Sequence, residues 1–175
     1  MRTADATQQS LPYEAPHVAM RGELRDYEAL RRFITAGNAT LTVRSSSTGT
    51  RYTYKFKLPR EAHTPGPKPV FVYLLTGANN DSDYAFLGTL FQDAVGPWYV
   101  YRHSPKSRVS QTTASVQGVK WLAMHLYKDG AAKLFTRAQF WHEGRCGRCG
   151  RKLTVPESIS SGFGPECVQL IGGAA

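Results

Sequence analysis

The placement of the cysteines constrains this chain more than any other feature. All three fall in its last forty residues, at Cys146, Cys149 and Cys167. The first two lie within His142-Glu143-Gly144-Arg145-Cys146-Gly147-Arg148-Cys149-Gly150-Arg151, separated by two residues, so both thiols can turn toward one centre. Gly147 and Gly150 let the backbone bend tightly there, because glycine reaches φ > 0 without a Cβ clash. Seventeen residues then separate Cys149 from Cys167, close to the usual gap between the two ligand pairs of a zinc module. A structural zinc ion takes four ligands and keeps no water. His142, just upstream of Cys146, is the nearest candidate for the fourth and would complete a Cys3His site; His17, His63, His103 and His125 are the other histidines. A disulfide with one spare thiol competes with this reading, but an odd cysteine count and an N-terminus without a signal-like apolar segment speak against an oxidising compartment. A thioredoxin-like redox pair also competes, but this pair does not sit between an early strand and a helix.

The residues after Cys149 extend the pattern. Leu153 and Val155 alternate like a short strand, and Pro156-Glu157-Ser158 reads as a turn. Pro165 suits the first turn of a helix, where its missing N–H costs nothing, and Gly172 suits the far end. Cys167 then falls in the first turn, where unpaired N–H groups help to stabilise a thiolate. Knuckle, short hairpin and ligand-bearing helix make a treble-clef-like unit. A treble clef usually takes two ligands from its helix, whereas this helix offers Cys167 alone.

The run Cys146-Gly147-Arg148-Cys149-Gly150-Arg151-Lys152-Leu153-Thr154-Val155-Pro156-Glu157-Ser158-Ile159, followed by Gly162-Phe163-Gly164-Pro165-Glu166-Cys167, resembles a small zinc-binding domain of unknown function. That family occurs in bacteriophage and mobile-element proteins, often as a C-terminal appendage. Upstream, Asn38-Ala39-Thr40, Ser47-Thr48-Gly49, Leu75-Thr76-Gly77 and Tyr84-Ala85-Phe86-Leu87-Gly88 resemble the companion domain of phage-encoded members. The resemblance implies a zinc site and a phage or prophage setting, and supplies no activity.

The rest of the chain reads as one α+β domain, since 175 residues support one ordinary domain and a small module. Residues 1–20 read as a flexible arm. From Gly22 to Ala36, Leu24, Tyr27, Leu30, Phe33 and Ile34 recur at helical spacing, and Gly37-Asn38 ends that helix. The period then changes to two. Ala39, Leu41 and Val43 mark a strand, Ser45 to Gly49 a turn, and Arg51 to Leu58 a returning strand. In it, Tyr52, Tyr54, Phe56 and Leu58 share one face, and Arg51, Thr53, Lys55 and Lys57 the other. A loop with four prolines follows from Pro59 to Pro69. Val70 to Leu75 is a continuous apolar run, as expected of a central strand; Tyr84 to Phe91 and Trp98 to Tyr101 complete a meander. A second helix begins near Thr112 or Thr113, carries Val116, Val119, Leu122, Ala123 and Leu126, and ends at Gly130. The expected fold is therefore an antiparallel β-meander of about five strands with two helices over 21–135, plus a treble-clef-like zinc finger over 136–175 docked on it.

Charge and motifs bound the function. The formal net charge is +9; three thiolates and one Zn2+ would lower it to about +8. Such an excess favours a polyanionic partner. No apolar run is long enough to span a membrane, so a soluble, intracellular protein is expected, and the phage resemblance implies the cytoplasm of a bacterial host. No phosphate-binding loop, His-Glu-x-x-His motif or small-molecule site stands out, and a closed Cys3His site leaves zinc no open position, so enzymatic activity is not expected. Asp81 and Asp83 read as turn residues, because the glycine and glutamate of a calcium loop are missing. The expected function is nucleic-acid binding. Arg51, Lys55 and Lys57 on the hairpin, Arg102, Lys106 and Arg108 after the meander, and Arg145, Arg148, Arg151 and Lys152 around the knuckle are the candidate phosphate contacts. Tyr52, Tyr54, Trp98 and Tyr101 are candidates for base stacking. The alternative is an anti-defence factor, comparable to an anti-CRISPR inhibitor, that binds a host protein or nuclease complex.

Overall fold

The computed structural model describes residues 22–59, 68–96 and 99–172. The expected arm over 1–20, most of the proline-rich loop, and Trp98 lie outside these residues. Helix α1 spans Tyr27–Ile34. It starts later than its apolar spacing predicts because Asp26 caps it, its Oδ1 accepting from the Ala29 N–H at 2.8 Å. Leu24 is buried outside the helix, with its N–H donated to the Phe140 carbonyl. Five strands follow as a meander: β1 Asn38–Ser45, β2 Arg51–Lys57, β3 Val70–Leu75, β4 Tyr84–Gln92 and β5 Tyr99–His103.

Helix α2 covers Ala114–His125 and stops short of the expected Gly130. A 3-10 turn then leads into α3, Ala131–Arg137, and β6, Ala138–His142, neither of which was expected. β6 runs antiparallel beside β1, with Val43 opposite Phe140, so the sheet has six strands in the order β5-β4-β3-β2-β1-β6. The fold is α+β, as expected, with the sheet one strand wider than the meander alone.

The helices lie on one face of this sheet. The Tyr54 hydroxyl donates to the Ser115 carbonyl of α2 at 2.7 Å, Phe33 of α1 packs on His142, and Phe135 of α3 meets Phe140 edge-on. Ala39, Leu41, Tyr54, Phe56, Val72 and Leu90 fill this core from the sheet side. Burial removes Tyr54 from the candidate stacking residues, since it is 1% exposed. It also lifts the Tyr54 hydroxyl far above the usual phenol range. Tyr52 and Tyr101 also face the helix side, and the Tyr101 hydroxyl is hydrogen-bonded to His103 Nδ1 at 2.9 Å.

The opposite face carries the hairpin's basic residues, as the alternation requires. β3 is a central strand between β2 and β4, as its continuous apolar run predicts. Val70, Val72 and Leu74 point inward, while Phe71, Tyr73 and Leu75 are half-buried on the outer face. Helices α4, Pro156–Ser161, and α5, Pro165–Gly172, close the chain. The expected turn at Pro156 is the first turn of α4: proline at its start pre-sets φ, and Gly162 ends it in the left-handed region at φ 77°. Among the described residues no helix is long and apolar enough to cross a membrane.

Candidate metal centre

The loop from Gly144 to Leu153 is closed by its own backbone hydrogen bonds. Cys146 N–H donates to the Arg151 carbonyl at 2.8 Å, Gly150 N–H to the Cys146 carbonyl at 2.8 Å, and Leu153 N–H to the Gly144 carbonyl at 2.7 Å. Gly150 turns the chain at φ 76°. Gly147 serves a different purpose from the expected bend. A Cβ there would lie 2.7 Å from Phe33 Cδ2, so its missing side chain is what lets the knuckle reach α1. The Gly147 carbonyl also accepts from the Asn38 N–H at 2.7 Å, tying the knuckle to the start of β1.

Cys167 comes from the first turn of α5, as expected. The sulfurs of Cys146, Cys149 and Cys167 all lie within 4.8 Å of one another, and none is in a disulfide. A metal bound at about 2.3 Å to each thiolate in tetrahedral geometry holds its sulfurs about 3.8 Å apart, so the cluster fits one ion. Burial pushes the Cys146 thiol up, but the backbone N–H groups of Cys149, Gly164 and Arg148 aimed at its sulfur outweigh this and bring it down to about 7. Burial, then the neighbouring Cys149 and Cys146 sulfurs, push Cys167 up to about 11. The set is thus prepared to lose one proton near neutrality and the others to a metal that competes for sulfur.

The structure does not bring His142 into the cluster. Its Nε2–H donates to the Ile159 carbonyl at 2.7 Å and its Nδ1 accepts from the Gly144 N–H at 3.0 Å, so both ring nitrogens are occupied. The ring lies between Phe33 and α4 and anchors the end of α4 to the start of the knuckle. Among the described residues no fourth His, Cys, Asp or Glu joins the three sulfurs. His103 bonds Tyr101 and the Val109 carbonyl, and His125 bonds the Trp121 carbonyl. His17 and His63 lie outside the described residues.

Burial holds the His142 imidazole below its ordinary 6.5, against an opposing pull from the Ile159 carbonyl. The unfolded chain therefore takes up the proton first as pH falls. The stability supplied by the neutral ring is complete above about pH 6.5 and is lost as pH falls toward the folded value. An NMR titration should find the His142 ring still neutral below pH 6.5 in the folded protein; a midpoint at or above 6.5 contradicts this geometry.

The candidate phosphate contacts divide among three places. Arg145, Arg148, Arg151 and Lys152 are exposed around the knuckle, and the last three line a cavity of about 410 Å3 that the cysteines also line. The Arg148 side chain beside Cys167 pulls that thiol's pKa down, against burial, so it serves the cluster as well. Arg51, Lys55, Lys57 and Arg102 lie on the helix-free sheet face, and Arg44 opposite Arg51 adds a cation that the sequence reading missed. Lys106 and Arg108 are exposed beside a groove of about 650 Å3 between the β3–β4 turn and the segment after β5. Of these candidates only Arg145 has a carboxylate within ion-pair distance among the described residues, Asp81 at 3.7 Å.

The fold and the cluster define a six-stranded α+β domain with three cysteines, two on a loop and one on α5, placed closely enough to hold a metal ion. A family of unknown function (DUF6011) matches residues 136–172, which contain β6, the knuckle and both final helices. No curated protein and no solved structure matches the chain.

Proposed function

We propose that this is a zinc-stabilised protein that binds nucleic acid through its basic surfaces, in the phage-type setting its tail resembles. Three thiolates with amide support favour zinc over harder cations such as magnesium or calcium. One observation carries the nucleic-acid reading: nine of the ten expected phosphate contacts have no carboxylate within 4.0 Å among the described residues. Unpaired cations on a protein of net charge +9 are free to release counterions from a polyanion.

The test is a salt titration of binding to labelled oligonucleotides. Affinity should fall steeply with salt, and the combined Arg151→Ala and Lys152→Ala variant should lower the slope by about one per lost contact. A pull-down with and without nuclease separates this from the alternative. A single protein partner that survives nuclease, with no oligonucleotide binding at low salt, would replace nucleic acid by a host protein.

A further inference from the structure

We infer that the ligand is single-stranded nucleic acid, laid across the helix-free face of the sheet with its bases against Phe71, Tyr73 and Phe86. This inference rests on the nucleic-acid reading above and assigns it a surface and a strand class.

The sheet register builds the platform. Lys55 is opposite Tyr73, and Tyr73 is opposite Phe86, so these three side chains form one row across β2, β3 and β4. In the next row, Lys57 is opposite Phe71, Phe71 opposite Thr89, and Thr89 opposite Arg102 on β5. The three rings meet: Phe86 lies 5.3 Å from Tyr73 and 6.1 Å from Phe71 between centroids. A cation flanks them on each side, Lys57 with its Nζ 6.0 Å from the Tyr73 ring and Arg102 three strands away. With strands about 4.8 Å apart, these two cations bracket the rings across roughly 14 Å.

Two physical arguments select the strand class. The outer face of an antiparallel sheet is normally polar, and here its centre is aromatic, with rings only half-buried. Ring faces gain from stacking on unpaired bases, whose faces a duplex keeps hidden. A six-stranded face is also roughly 24 Å wide, about twice the width of a major groove, so it cannot enter duplex DNA as a ribbon does. The cations supply the phosphate contacts, and the absence of a carboxylate partner for Lys57 or Arg102 leaves them available among the described residues.

The experiment uses the full chain loaded with zinc and follows the anisotropy of a labelled single-stranded DNA, a single-stranded RNA and a blunt DNA duplex of matched length. Either single strand should bind at least tenfold tighter than the duplex. The combined Tyr73→Leu and Phe86→Leu variant keeps apolar cover on the sheet but removes two stacking faces. It should lose about tenfold in single-strand affinity per base stack, with the salt slope unchanged. Lys57→Ala with Arg102→Ala, both exposed, provides a variant that does not touch the rings; it should lower the salt slope instead. Equal affinity for duplex and single strand, with all four sheet substitutions neutral, overturns this inference and leaves binding at the knuckle intact. No binding to any probe at low salt overturns both readings together.

Discussion

Cys149→Ser is expected to abolish stoichiometric metal and to release the segment after β6 from its folded state. Cys149 is exposed, so the substitution removes a sulfur ligand without emptying a packed site. Few apolar groups hold this segment: among its buried side chains are Leu153, Phe163, Cys146 and Cys167. That is too little apolar burial to order about thirty residues on its own. Metal binding at a structural site contributes directly to folding free energy. Metal analysis of the purified protein should give one ion per chain for the wild type and none for the variant. Hydrogen exchange should show lost protection from Cys146 to Gly172. A metal-free wild type that keeps this protection would overturn the assignment.

Phe33→Ala should cost about 3–5 kcal/mol, the range for truncating a fully buried phenylalanine. Phe33 is 0% exposed and joins three parts of the molecule. Its ring lies 5.3 Å from His142 and 5.8 Å from Phe163, and it fills the space that Gly147 leaves open. Its loss therefore separates α1 from the knuckle as well as opening a cavity. Thermal melts should shift strongly downward, and metal should dissociate faster than from the wild type. Leu30→Ala makes a useful comparison, since Leu30 is equally buried on the same helix. A similar melting shift in both variants with faster metal release only in Phe33→Ala identifies the contact with the knuckle. Equal metal release in both would mean that α1 acts on the cluster only through overall stability.

The meander was legible because its strands alternate. Residues Asn38 to Lys57 show period two with a serine-rich turn between, and the observed pairing, Val43 opposite Tyr52, follows from it. Cys146, Cys149 and Cys167 were legible from spacing alone and do converge. His142 was not, because proximity in sequence to a cysteine does not say where an imidazole points. As the fifth residue of β6 it follows the inward alternation of Ala138 and Phe140, which carries it into the core beside Phe33. Reading it as a ligand also hid the strand, whose five residues give a weak period once the last is set aside. β3 was legible as a central strand, but which of its side chains face the core was not. Its apolar run treats aliphatic and aromatic residues as equals, although Val70, Val72 and Leu74 alternate with Phe71, Tyr73 and Leu75. The aromatic half of that alternation is what marks the open face.

The position of β6 bears on how the chain comes together as it is made. β1 has β2 on one side from a nearby turn, but its other edge waits for residues more than ninety positions later. Through synthesis of the meander, that edge presents unpaired N–H and C=O groups, a template for pairing with another chain. Arg44 and the run of threonines on β1 give the waiting edge charge and polarity on its outer face. Contacts of such long sequence separation form slowly, since the intervening chain must be ordered first. Truncations that end before Ala138 are therefore expected to aggregate through β1, and the cysteine loop can close only after the edge strand next to it has arrived.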